Sequence, residues 1–217
     1  MNVYVMARCQ YFKAGMKYLF PQCNVNFLYV NDMSEVILSD QECLTILLVL
    51  DMSGHDALKK TREAIDYTMQ INHPKRVGIL VSQYNSYLSY YFYYKLRGKV
   101  TFFNSHNLYS GLFQRNFMSW LKGKTFRPMR IVNRFRDDRY GLSLKEWIAL
   151  VVPLSGEKMS EISTCLKIPV TSLYRMRNSA LKQLEVNTYR EFCQMYIAGV
   201  FNTENSHQRH APLKSSN

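Results

Sequence analysis

Four side chains in the second half of the chain have the types and spacing needed to read a base pair. Thr171, Tyr174, Arg175 and Asn178 fall at i, i+3, i+4 and i+7, so a helix from about Val170 to Leu184 lines them along one face. An arginine can donate two hydrogen bonds to the major-groove edge of guanine, and an asparagine can pair with adenine in the same way. Leu173, Ala180 and Leu184 share another face of that helix and are expected to pack inward. Arg177 and Lys182 are better placed for phosphates, contacts that fix register without reading sequence.

Such a helix needs a scaffold, and the preceding residues predict one. Ser143 and Glu146 have the spacing of a capping box, in which each side chain reaches the other's unpaired backbone N–H. Behind them Trp147, Ile148, Leu150, Val151 and Leu154 form the apolar face of a first helix that Gly156 stops. A second helix is expected over about Ser160–Leu166, with Ile162, Cys165 and Leu166 inward. The turn Lys167-Ile168-Pro169 breaks it, because the residue before a proline disfavours the α region. Pro169 costs the third helix little, since that first N–H would have no partner anyway. Two short helices joined by a three-residue turn in a basic segment are the pattern of a helix-turn-helix.

On these residues the stretch from Leu142 to Phe192 resembles the DNA-binding domain of LuxR/FixJ-type transcription regulators. Leu142, Glu146, Gly156, Glu161, Ile162, Leu166, Ile168, Ser172, Leu173, Leu184 and Val186 fit that family's pattern without a gap. Pro153, Lys158, Pro169 and Met176 depart from it, which marks a divergent member. The alternative for the same periodicity is a small three-helix bundle that binds no nucleic acid. The resemblance implies double-stranded DNA as partner, with Thr171, Tyr174, Arg175 and Asn178 towards bases.

Residues 1–121 alternate short β-like runs with helical stretches. Val3–Met6, Val25–Val30, Leu44–Leu50, Arg76–Val81 and Val100–Phe103 are expected as strands. Helices are expected over about Tyr11–Phe20, Asp56–Ile71, Tyr84–Leu96 and Leu108–Trp120. Five strands alternating with five helices, four of which can be placed on residues, predict an α/β doubly wound parallel sheet of flavodoxin-like order. Ahead of this helix-turn-helix, that architecture resembles the receiver domain of response regulators. Asp51, in LLVLDMSG, matches the phosphoacceptor position, and Ser82 the switch hydroxyl. The acidic pair expected after the first strand is replaced by Ala7-Arg8-Cys9, and the lysine after the fifth by Phe102-Phe103-Asn104-Ser105. Phosphoryl transfer to a carboxylate needs Mg²⁺, and Mg²⁺ needs clustered carboxylates, so Asp51 is expected to be inactive. Such pseudo-receivers resemble those of the RcsA/BglJ-like subgroup, auxiliary partners of a related regulator.

The expected division is therefore a pseudo-receiver over 1–121, a basic linker over 122–140, an all-α helix-turn-helix domain over 141–201 and a disordered tail over 202–217. Of the net charge of +12, +8 falls after residue 121, which favours a polyanionic partner. Five cysteines without a C-x-x-C pair argue against a disulfide framework or zinc site, and no cofactor is expected. No targeting signal or membrane-length apolar run is visible, so a cytoplasmic protein without enzymatic activity is expected. The region Tyr84–Tyr94 holds seven aromatic residues, more than one core-facing stripe can bury. Tyr87, Tyr90, Tyr91 and Tyr94 are accordingly expected to form a partner face, for a second copy or a related regulator. Two function classes remain open: a sequence-reading regulator, and an interaction module that modulates a partner with little DNA reading of its own.

Overall fold

In a computed structural model of the chain, the described residues are 1–21, 24–37, 43–50, 56–82, 85–124, 126, 129 and 136–201. Asp51, Tyr84, about half of the expected linker and the tail lie outside them. Five strands form one parallel sheet: β1 (Asn2–Met6), β2 (Asn26–Val30), β3 (Leu44–Val49), β4 (Lys75–Val81) and β5 (Thr101–Asn104). Their order is β2-β1-β3-β4-β5, the flavodoxin-like arrangement. The register puts Val30, Met6, Leu48, Ile79 and Phe102 in one row across the sheet. β3 has every residue from Leu44 to Leu48 buried, as a central strand covered on both faces requires.

The helices of this unit are α1 (Gln10–Leu19), α2 (Ala57–Gln70), α3 (Ser86–Lys95) and α4 (Leu112–Leu121). A fifth helix is not found among the described residues. Between β2 and β3 the described residues hold only a 3₁₀ turn, Met33–Glu35, where Asp32 accepts from the Ser34 N–H at 2.8 Å. Alternation along the strands divides the core. Val3, Val5, Leu47, Leu80 and Phe103 cluster with Met16 of α1 and Phe113, Phe117 and Trp120 of α4. Tyr4, Ile46, Leu48, Ile79 and Phe102 point the other way, into a cluster with α2 and α3.

That second cluster does not end at α2 and α3. It continues through α5 (Leu144–Val151), α6 (Met159–Leu166), α7 (Val170–Gln183) and α8 (Tyr189–Ile197). The helix expected to run to Leu154 stops at Val151 and tightens into a 3₁₀ turn, Val152–Ser155. Pro153 has no N–H to continue the α ladder, and Gly156 at φ 82° closes the turn. The capping box at Ser143 is present: the Glu146 carboxylate accepts from the Ser143 N–H at 2.8 Å, and Ser143 Oγ accepts from the Glu146 N–H at 3.3 Å.

Trp147 through Val151 are all buried, so α5 beyond its first turn is covered on every side. A helix that is apolar all round belongs inside a structure, not on its surface. One side of α5 meets α7 and the other meets α3. Ahead of it, Asp137 organises the approach. One carboxylate oxygen accepts from the Arg139 and Tyr140 N–H groups at 3.2 and 2.6 Å, the other from the Leu142 N–H at 2.8 Å and Trp147 Nε1–H at 2.9 Å. Removing a charged acceptor that satisfies several donors costs about 2–3 kcal/mol. Asp137→Ala should lower the unfolding free energy by about that amount in urea titrations, and Asp137→Asn by less, because one oxygen stays in place.

Candidate nucleic-acid interface

The turn between α6 and α7 is built by local hydrogen bonds. Lys167 ends α6 in the left-handed conformation at φ 55°. Ser163 grips the turn twice: its hydroxyl donates to the Ile168 carbonyl at 2.6 Å, and its carbonyl accepts from the Ile168 N–H at 3.1 Å. At the start of α6 the Glu161 carboxylate accepts from the Lys158 N–H at 2.7 Å. α7 then begins directly after Pro169.

On α7, Leu173 and Ala180 are fully buried, and Leu184 just beyond is half-buried against the same cluster. Thr171, Tyr174, Arg175, Asn178 and Lys182 are exposed on the opposite side. No described element covers that face. The five residues predicted to read bases or hold phosphate from this helix surface are thus presented together.

Arg177 is placed differently. Its guanidinium lies 4.7 Å from the Tyr174 ring and 4.4 Å from the Tyr189 ring, with Nε buried and without a hydrogen-bond partner. Position 177 sits one residue round the helix from the exposed face, against Tyr189 of α8, apart from the other residues expected to meet DNA. Tyr189 completes the stack by donating from its hydroxyl to the Leu150 carbonyl at 2.9 Å. Burial pushes the Tyr189 phenol well above its ordinary value, so it stays a donor.

The electrostatics of the helical region follow from how its acids are used. Asp137, Glu146, Glu157, Glu161 and Glu191 each accept hydrogen bonds within the chain. Exposed Lys167, Arg175, Lys182 and Arg190 form no ion pair among the described residues. Of the exposed charges in this region lysine and arginine outnumber Asp138, Glu161 and Glu185, an arrangement suited to a polyanion.

The aromatic helix α3 is also placed differently from the expectation. Tyr87 and Tyr91 are buried inside the chain rather than on a partner face. The expectation assumed that only one layer covers the helix, whereas α3 lies between the sheet and the C-terminal helices. Tyr87 stacks on Trp147 with ring centroids 5.7 Å apart, and its hydroxyl lies 3.3 Å from that of Tyr196 in α8. Tyr90 is half-buried against exposed Tyr94 at 4.9 Å, so only these two of the four tyrosines face outward. At the receiver-like edge, Ser82 is buried with Oγ 3.2 Å from His106 Nε2. Arg8 follows β1 where receivers carry acids.

The sequence matches no protein-family model, and no curated protein is similar enough to be matched. Solved structures align with the chain over most of its length. An RcsB structure, with two RcsB dimers bound to two parallel DNAs, is 20% identical over 92% of this chain and 98% of that one, with a TM-score of 0.48. The Salmonella typhimurium RcsB response regulator is 20% identical over 91% and 99%, with a TM-score of 0.47. Full-length FixJ from B. japonicum is 13% identical over 93% and 98%, with a TM-score of 0.37. At this identity and overlap, what the chain does has to be read from its own side chains.

The stacking of Arg177 separates it from the exposed cations in a measurable way. Arg177→Ala should weaken the α7–α8 contact by about 1 kcal/mol in thermal unfolding and leave the salt dependence of DNA binding unaltered. A salt slope reduced by about one unit would place Arg177 on phosphate instead.

Proposed function

We propose that the chain is a DNA-binding transcription regulator whose α7 reads the major groove. One observation carries this: Thr171, Tyr174, Arg175, Asn178 and Lys182 form a single exposed polar face on the second helix of a helix-turn-helix. An α-helix fits the major groove, where each base pair presents its own donor and acceptor pattern. Arg175 and Asn178 are the base readers, Thr171 and Tyr174 support them near the helix start, and Lys182 holds phosphate.

The reading includes action without phosphorylation. Arg8 follows β1 where an acceptor site would need Mg²⁺ ligands, and a cation there opposes a second one. It also includes action as a dimer, with a second copy or a related regulator through the receiver-like unit. A two-fold pair would select half-sites about one helical turn apart. A second reading, an auxiliary co-regulator in the manner of the RcsA/BglJ-like subgroup, is favoured by the outer face of α1. Tyr11 is 90% and Tyr18 85% exposed there, seven residues apart on one side of the helix. Tyrosine on open surface is characteristic of protein interfaces.

Titration of duplex DNA in a salt series, with the chain alone and with candidate partner regulators, separates the two. Sequence-specific binding by the chain alone supports the first reading; binding only with a partner supports the second. Arg175→Ala and Asn178→Ala should each cost about 1–3 kcal/mol of specific affinity and relax preference at one base position. Lys182→Ala should weaken all sequences alike and flatten the salt dependence by about one unit. Asp51→Ala should bind and regulate like the parent, and acetyl-phosphate labelling that this substitution abolishes would contradict a phosphorylation-independent action.

A further inference from the structure

Tyr87, Tyr91 and Lys95 recur every four residues along α3, which places them on one side of the helix. All three meet the C-terminal helices or the turn between them. Tyr87 covers Trp147 by stacking, and its hydroxyl lies 3.3 Å from that of Tyr196. The contacts of Tyr91 and Lys95 are directional and charged. The Tyr91 hydroxyl donates to Glu157 Oε1, and Lys95 Nζ lies 3.1 Å from both Glu157 oxygens. Lys95 also reaches Asp66 Oδ1 of α2 at 2.8 Å. Arg62 of α2 pairs with Asp66 at 3.3 Å and reaches Glu161 of α6 at 3.8 Å.

Glu157 occupies a sensitive position. It follows the left-handed Gly156 that ends the 3₁₀ turn and precedes Lys158, the N-cap of α6. Its side chain is 6% exposed and that of Lys95 14% exposed, so the pair is nearly removed from water. A buried ion pair adds little net stability, because desolvation offsets most of its attraction, but its directional bonds restrict the ways the surfaces can pack. The Tyr91 phenol is held protonated far above the usual tyrosine range, by burial first and by its bond to Glu157 second. It therefore donates at every physiological pH.

We propose that Glu157, gripped by Tyr91 and Lys95, is a latch that holds the helix-turn-helix to the sheet as one rigid body. The orientation of α7 is then set by the sheet unit, and the three residues act as positioning residues for the reading face. The readout is mechanical and does not require that α7 binds DNA, so it stands or falls separately from the proposed function.

The test is ¹⁵N relaxation on the full chain, comparing rotational correlation times of amides in β1, β3 and β4 with those in α6 and α7. The parent should give one shared value. Glu157→Ala should split it, with the helical part tumbling faster, while circular dichroism keeps the parent's helix content. Tyr91→Phe removes a single oxygen and should produce a smaller split. It decides the matter if Glu157→Ala does not fold. Glu157→Gln, which keeps an acceptor for Tyr91 and loses the charge facing Lys95, should fall between the parent and Glu157→Ala. Two separate values in the parent, or one unchanged value in every folded variant, would overturn the latch.

Discussion

Trp147 is the joint on which the molecule depends. Its ring is 5% exposed, stacked on Tyr87 of α3 and edge-on to Tyr140, and its indole N–H is spent on Asp137. A tryptophan can be buried this fully only when its one donor has found an acceptor. Asp137 meets that need while also turning the chain into α5. With Trp147 fixed, α5 has one side for α3 and the other for α7. The sheet unit and the helix-turn-helix then share one continuous buried cluster.

That shared core determines what α7 can show. Because α5 and α6 hold its apolar face, the polar face is left for solvent. Most acids of the region serve caps, the Asp137 loop and the Glu157 contact, so its exposed charge is mostly lysine and arginine. Both features follow from packing rather than from any residue dedicated to DNA. The same logic explains Arg177, whose place beside Tyr174 and Tyr189 turns a cation into a spacer between α7 and α8.

Much of this was legible in the sequence. The strands were readable within a residue or two from branched apolar runs, and the 2-1-3-4-5 order from their alternation with helices. The capping box at Ser143 and Glu146 and the turn at Pro169 announced the helix-turn-helix. Other features were hidden for physical reasons. A helical wheel takes for granted a single covering layer, so the tyrosines of α3 were expected outside, although a second layer buries Tyr87 and Tyr91. One signal pointed to that layer: the unbroken apolar run Trp147–Val152 exceeds what a helix covered on one side needs. Glu157 gave no signal, because its partners Tyr91 and Lys95 lie more than 60 residues away and only the fold brings them together. Pro153 announced the end of α5, but the 3₁₀ turn that follows depends on Gly156 as well.

The central claim is that DNA meets the polar face of α7. It is tested most directly by selecting duplexes from a random library with the full chain, then mapping amide hydrogen exchange with and without the selected DNA. The account predicts protection concentrated on the α6–α7 turn and the first two turns of α7, around Thr171, Tyr174, Arg175 and Asn178. Failure to enrich any duplex, or protection confined to the outer face of α1 and the edge strand β2, would contradict it.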